Sequence, residues 1–231
     1  MKIAIVSHFG HYECIGFLCE SLSDHSIVIY SSNDNQGYNA YYRSLFPKQI
    51  TDVILFGDNL NICIDDFDYV FKLTSNDNCI NDPRIISLLH VNPLRDISKR
   101  YISLTPYVFG DDVTYMFPTY NNLNNKVCYD NRIIYIGYFL ESFLNDGDLI
   151  NLIRKLNNFT FEFIVWGQDN YDCLKQFHNV NVYNQIPTDI MISMIQSSKF
   201  ILPRKLPFQN EDRFSGMLSL AVVCDKPIIL Q

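Results

Sequence analysis

The sequence predicts an α/β protein of two domains, each built on a mainly parallel sheet. Three observations predict it. Short continuous apolar runs, beginning with Lys2-Ile3-Ala4-Ile5-Val6, have the pattern of strands buried on both faces, as the strands of a parallel sheet are. Segments with helical periodicity lie between these runs, so strand and helix alternate. The alternation breaks once, over Pro118 to Asp130, where Thr119-Tyr120-Asn121-Asn122-Leu123-Asn124-Asn125-Lys126 has no apolar period and reads as a linker. Two domains, 1–122 and 130–231, follow from that break.

Taken in order, the first strand gives way to a polar turn from Ser7 to Glu13 that contains Gly10. From Tyr12 to Leu22 the residues Ile15, Leu18, Cys19 and Leu22 share one helical face. Ile27–Tyr30 is the next strand, so the chain opens βαβ. A helix over Tyr38–Phe46 follows, then strands at Val53–Phe56, Tyr69–Leu73, Ile85–Leu89 and Tyr101–Leu104. After the break, Arg132–Ile136 ends in Gly137, a helix covers Asp148–Leu156, and Phe161–Val165 ends in Trp166-Gly167. The pattern closes with a strand at Val180–Tyr183, a helix at Thr188–Ser197, a strand at Phe200–Leu202, a helix from about Arg213 to Val223, and a strand at Pro227–Leu230.

Composition excludes several classes. At 231 residues and 48% hydrophobic, the chain carries enough apolar side chains for real cores, which rules out disorder. Its 18 Lys and Arg against 25 Asp and Glu give a net charge of −7, so no overall field draws a polyanion and no nucleic-acid partner is expected. No run approaches the roughly 18 apolar residues of a membrane span. Seven scattered cysteines with no Cys-x-x-Cys pair read as reduced thiols in a cytoplasmic protein. Neither they nor the five histidines cluster at zinc-ligand spacing, so no metal site is expected. Abundant Asn, with Ala only at Ala4, Ala40 and Ala221, points to an AT-rich genome, such as that of a large DNA virus or a low-GC bacterium.

The chemistry-bearing motifs lie at predicted strand ends. Arg213-Phe214-Ser215-Gly216 opens a helix, where unpaired N–H groups and the helix dipole favour an anion, and Gly216 would let the backbone approach it closely. Arg213, with Arg204 and Lys205 on the preceding loop, would add charge-assisted bonds to phosphate oxygens. His90 directly follows Ile85-Ile86-Ser87-Leu88-Leu89, at a strand's carboxyl end, where a neutral imidazole can accept a proton or a hydrogen bond. Ser7-His8-Phe9-Gly10-His11-Tyr12 follows the first strand with one glycine, and Gly-x-Gly-x-x-Gly is absent, which argues against a dinucleotide fingerprint.

Together, Ile134-Tyr135-Ile136-Gly137, Phe163-Ile164-Val165-Trp166-Gly167, Gln185-Ile186-Pro187, Phe200-Ile201-Leu202-Pro203-Arg204, Glu211 through Ala221 and Lys226-Pro227-Ile228 resemble the nucleotide-sugar half of the GT-B-fold glycosyltransferases. The resemblance covers 130–231 well and the first half in outline. It implies two Rossmann-like domains and a metal-independent transferase that moves a sugar from a nucleoside-diphosphate sugar to a carbohydrate or other hydroxyl acceptor. It places Arg213, Phe214, Ser215, Gly216, Arg204, Lys205 and Gly137 at the donor phosphates. Gln168, Ile186 and Pro187 fall at base and ribose, Glu211 and His90 at the reacting sugar, and His8, Gly10 and His11 on the acceptor side. No cofactor is implied beyond the donor itself. Where many retaining members carry a second glutamate separated from the first by seven residues, this chain has Ser219, so retention and inversion both stay open. The chain also stops at Gln231, where relatives continue, as a minimal enzyme or a truncated sequence would.

Two other readings compete. One is a non-catalytic nucleotide- or carbohydrate-binding module. The other is a GT-A glycosyltransferase, prompted by Asp66-Phe67-Asp68, whose carboxylates would hold a divalent metal on the sugar diphosphate. That pair precedes the strand at Tyr69, whereas a GT-A pair should end one.

Overall fold

The computed structural model describes residues 1–8, 11–32, 37–57, 60–73, 82–89, 100–104, 113–121, 131–137, 147–166, 172–203 and 216–229. The chain divides into two compact units, Met1–Asn122 with Pro207–Ser219, and Leu123–Leu206 with Leu220–Gln231.

Unit 1 holds a seven-stranded sheet. Its strands are β1 (Lys2–Ser7), β2 (Ser26–Ser31), β3 (Ile50–Leu55), β4 (Tyr69–Lys72), β5 (Ile85–Leu89), β6 (Arg100–Ser103) and β7 (Val113–Tyr115), in the order β3-β2-β1-β4-β5-β6-β7. Every pairing is parallel. A parallel sheet needs helices on its faces, and β1 is accordingly buried from Ile3 to Ser7. Successive side chains of a strand point to opposite faces, so Ala4 and Val6 join Val28, Phe67, Val70 and Ile85 in one core cluster.

Helix α1 (Glu13–Ser21) buries Cys14, Ile15, Gly16, Leu18 and Cys19. Cys19 is held so far from water that its thiol is pushed up to about 12. Helix α2 (Tyr38–Leu45) starts from Gly37 at φ +68, a conformation that suits glycine.

Unit 2 is smaller. Strands β8 (Arg132–Gly137), β9 (Thr160–Val165), β10 (Val180–Asn184) and β11 (Phe200–Ile201) form a parallel sheet in the order β10-β9-β8-β11, and Ile228 adds one parallel bridge to Ile201. Its helices are α3 (Gly147–Lys155), α4 (Asp172–Lys175), α5 (Thr188–Ser197) and α6 (Gly216–Val223), the last with Gly216–Ser219 grouped in unit 1. Ile133, Tyr135, Phe161, Phe163 and Val165 project from one face of the sheet into a core with Leu149, Ile153, Leu174 and Leu202. Buried Asn179 donates its amide to the carbonyls of Ile153, at 3.3 Å, and Phe159, at 3.1 Å. It thereby satisfies groups that the end of α3 leaves open.

Most predicted elements recur within one or two residues, which is the usual spread of element ends. Three differences are physical. Strand β3 starts at Ile50, three residues before the predicted start, because it is an edge strand whose Thr51 and Asp52 face solvent and break the apolar run. Strand β7 and the one-turn helix α4 were not predicted, being three and four residues long and too short to carry a period. The predicted linker begins as packed structure. Tyr120, only 2% exposed, lies against Gly16 of α1, and the Asn121 N–H donates to the Glu20 carboxylate at 3.0 Å.

Candidate functional site

In an open parallel sheet, ligands bind outside the carboxyl ends of the strands, where the strand order reverses direction. Each unit has one such point. In unit 1 it lies between β1 and β4, in unit 2 between β8 and β11.

In unit 1 the pairing runs to the ends of the strands, with Ser32 N–H donating to Ser7 O at 3.0 Å and Leu73 N–H to Val6 O at 2.9 Å. His8 follows immediately. Its carbonyl accepts a hydrogen bond from the Ser32 hydroxyl, and its ring meets Phe56 edge-on with centroids 5.0 Å apart. His11 takes φ +59, a left-handed conformation uncommon outside glycine, and its Nδ1 lies 3.3 Å from Glu13 Oε1. A carboxylate oxygen accepts, so Nδ1 is the donor of this pair. The Glu13 side chain is 12% exposed against 30% for His11.

Glu13 shapes its surroundings electrostatically. Burial foremost, and the Glu13 charge after it, hold the Cys14 thiol well above its usual range. The Tyr42 phenol is raised mainly by burial, next by Tyr120, whose hydroxyl is 3.4 Å away, and further by Glu13. Glu13 also reaches α6. A Cβ placed on Gly216 would lie 2.5 Å from Glu13 Oε1 and 3.0 Å from Oε2, so the carboxyl group occupies the space beside that glycine. His11 and Gly216, assigned to different roles from the sequence, thus meet around Glu13 within unit 1.

In unit 2, among the described residues, the carboxyl edge is shaped by backbone. Gly137 ends β8 at φ +145, a region that side chains strain to enter, and the buried Tyr135 hydroxyl would be 3.6 Å from a Cβ there. Gln185, at φ +52, donates its N–H to Val165 O at 3.2 Å and turns the chain through the half-buried Ile186 and exposed Pro187 into α5. Leu202 N–H donates to Ile134 O at 2.8 Å, which carries β11 to the switch point one residue before Pro203.

Of the residues the sequence assigns to the site, His8, His11, Gly137, Ile186, Pro187 and Gly216 are among the described ones. Gly10, His90, Gln168, Arg204, Lys205, Glu211, Arg213, Phe214 and Ser215 lie outside the described residues. Glu13, Tyr135 and Gln185 were missed. Glu13 carried a signal, an acid in the first turn of a helix that opens beside a histidine loop. A tyrosine inside an apolar strand carried none.

Asp66-Phe67-Asp68 sits at the amino end of β4, with Asp68 Oδ2 accepting the Lys2 N–H at 2.7 Å, so it lies at the opposite edge of the sheet from the switch point. Among the described residues no group of three His, Cys, Asp or Glu side chains is placed to hold a metal ion, and no helix is long and apolar enough to cross a membrane.

The whole chain is similar to solved structures of nucleotide-sugar enzymes. AviGT4, a glycosyltransferase involved in avilamycin A biosynthesis, aligns with a TM-score of 0.65 at 10% identity, covering 99% of this chain and 78% of AviGT4. The chain has the GT-B fold. Anabaena Alr3699/HepE, solved with UDP and glucose, gives 0.56 at 12% identity, with 99% of this chain and 80% of HepE covered. The UDP-GlcNAc 2-epimerase of Neisseria meningitidis, bound to UDP-GlcNAc, gives 0.54 at 13%, with 99% and 81% covered. No family model matches the sequence, and no curated protein matches it.

Proposed function

We propose that this GT-B protein is a glycosyltransferase that moves a sugar from a nucleoside-diphosphate sugar to an acceptor hydroxyl, in the cytoplasm and without a metal ion. The observation that carries the reading is fold similarity along 99% of the chain to enzymes solved with UDP and glucose or with UDP-GlcNAc. The two parallel sheets, with Asp66 and Asp68 at an amino edge, leave the GT-A alternative without support.

In this reading the donor sits on the unit 2 edge. Gly137 gives the diphosphate close access to backbone, while Arg204, Lys205, Arg213, Phe214 and Ser215 surround its oxygens and stabilise the charge that grows as the diphosphate leaves. Gln168, Ile186 and Pro187 contact base and ribose, and Glu211 a sugar hydroxyl. The acceptor lies on the unit 1 edge beside His8, Gly10 and His11, and His90 takes its proton. The charge transferred to the diphosphate is met by cations, so metal is not needed to neutralise it.

A thermal-shift panel of UDP-, GDP- and TDP-sugars, with and without EDTA, tests this. A donor at a hundred times its Kd stabilises by about 2.7 kcal/mol and should raise the midpoint by about 5–10 °C, with or without chelator. Arg213→Ala should weaken that donor by about 1–3 kcal/mol, the scale of a hydrogen bond to a charged group. The presence of 2-epimerases among the similar structures favours one second reading, epimerisation of the donor sugar. NMR of the donor sugar separates the outcomes. Loss of its anomeric signal to a new glycoside is transfer, inversion at C2 without acceptor is epimerisation, and binding with neither is a non-catalytic module. If no nucleotide sugar moves the midpoint, the reading falls.

A further inference from the structure

Two neighbours of the Glu13 carboxyl explain each other. One is His11 Nδ1, 3.3 Å from Oε1. The other is the bare α-carbon of Gly216, where an added Cβ would meet Oε1 at 2.5 Å, Cδ at 2.6 Å and Oε2 at 3.0 Å. A whole carboxyl group therefore covers one side of that glycine, and the oxygen nearest to it is the one that holds His11. As an acid in the first turn of α1, Glu13 would suit the dipole of its own helix without touching α6 at all.

We propose that Glu13 is a positioning residue that orients the His11 imidazole, and that residue 216 is glycine because the Glu13 carboxyl occupies the place of its side chain. This gives the glycine a reason independent of any phosphate. Contacts made between Cβ and other atoms are essentially never as short as 2.5 Å, so a methyl group at 216 forces a shift. Helix α6 is not free to retreat. The fully buried Ser219 donates its hydroxyl to Pro118 O, while Met217, Leu220 and Ala221 are buried at 6%, 8% and 1% exposure. The carboxyl end of Glu13 is the part that can rotate away, and Oε1 leaves His11 when it does. A change on α6 is thereby transmitted to a ring on the β1–α1 loop. Its effect on turnover rests on the transferase reading, but the seat itself does not.

The test uses the full chain with Glu13→Gln, Glu13→Ala, Gly216→Ala, and Gly216→Ala combined with Glu13→Ala. Long-range 1H–15N NMR reads the His11 tautomer, which should be Nδ1–H in the parent and shift toward Nε2–H in Glu13→Ala and in Gly216→Ala. Gly216→Ala should lower Tm by about 2–6 °C in the parent background, the shift expected of an overpacked contact in a chain of this size. The same methyl should cost nothing once Glu13 is shortened to Ala. An equal Tm loss in both backgrounds, or a His11 tautomer that Gly216→Ala leaves unmoved, overturns the inference. Loss of UDP affinity in Gly216→Ala with both of those readouts unmoved assigns the glycine to the phosphate instead. A chain that binds no nucleotide at all strikes the transferase reading alone, because the tautomer and the Tm cycle need no nucleotide.

Discussion

The two switch points reach similar ends by different means. On unit 1 the carboxyl edge is built from side chains, with His8 tied to Ser32 and Phe56, and His11 to Glu13. On unit 2, among the described residues, backbone shapes it, with Gly137 at φ +145 and Gln185 at φ +52 setting the path of the chain. Under the proposed reading, the difference matches what each edge would hold. A diphosphate is well bound by N–H groups and the positive ends of helices, which any sequence can supply where the chain comes close enough. An acceptor hydroxyl needs a group that can take a proton, and only a side chain does that at neutral pH.

The comparison breaks most visibly at His90. If proton transfer belongs to side chains of unit 1, His90→Asn should lower kcat by about 10²–10⁴ while nucleotide affinity stays near that of the parent. Asn preserves shape and one hydrogen bond but cannot act as a base. Parent-like turnover on the true acceptor would make His90 structural and pass the proton-accepting role to the His11 loop. A loss in nucleotide affinity of the same size would place His90 with the donor instead.

A smaller effect sharpens the other side. Gly137→Ala forces a side chain into a conformation that costs about 1–3 kcal/mol, and under the proposed reading it should weaken donor binding as well, because the strain is relieved only by moving backbone that would face the diphosphate. A fluorescence melt and calorimetry on the same variant separate the two losses. An Ala variant that melts lower yet binds the donor at parent affinity would show that the turn supports the fold alone.

This contrast also explains what the sequence could and could not reveal. The strand-helix alternation was legible because parallel strands are buried on both faces, so β1 appears as an unbroken apolar run, and β5 and β9 as apolar runs interrupted at Ser87 and Glu162. Edge strands β3 and β7 were partly or wholly hidden, since an edge strand can carry polar residues on its open side. Gly137 was legible as a glycine closing a strand, because backbone demands of that kind leave a residue-type signature. Glu13 was not. Its role depends on Gly216, some two hundred residues away in the chain, and no local pattern records that the two are in contact. Tyr135 was hidden for the same reason. Its hydroxyl reaches Gly137 along the strand, but the residue reads as one more apolar position.

The smallest expected effect concerns the amino edge of unit 1 and extends the comparison to acid. There, Arg84 holds Asp82 through two side-chain bonds, Nε to Oδ1 at 2.9 Å and Nη2 to Oδ2 at 2.7 Å, and reaches Asp65 Oδ1 at 2.9 Å. Unit 2 secures its corresponding rim with cations over rings, Lys199 5.5 Å from the Phe159 centroid and Arg154 5.8 Å from that of Phe177. Those contacts involve no carboxylate, whereas the Arg84 cluster does. Side-chain hydrogen bonds from Arg84, with its backbone N–H beside them, hold the Asp82 carboxyl down at about 2 from an ordinary 3.8. A group lowered by folding contributes stability that is fully present above its unfolded value and is lost as pH falls through its folded value. The contribution of Asp82 should therefore be constant from neutral pH down to about 4 and fade between about 4 and 2. In melts across that range, Asp82→Asn should lie slightly below the parent at pH 7 and converge on it near pH 2. A parallel shift of both curves across the whole range would mean that the pair adds nothing that depends on the carboxylate charge, and the two rims would then be equivalent in acid despite their different chemistry.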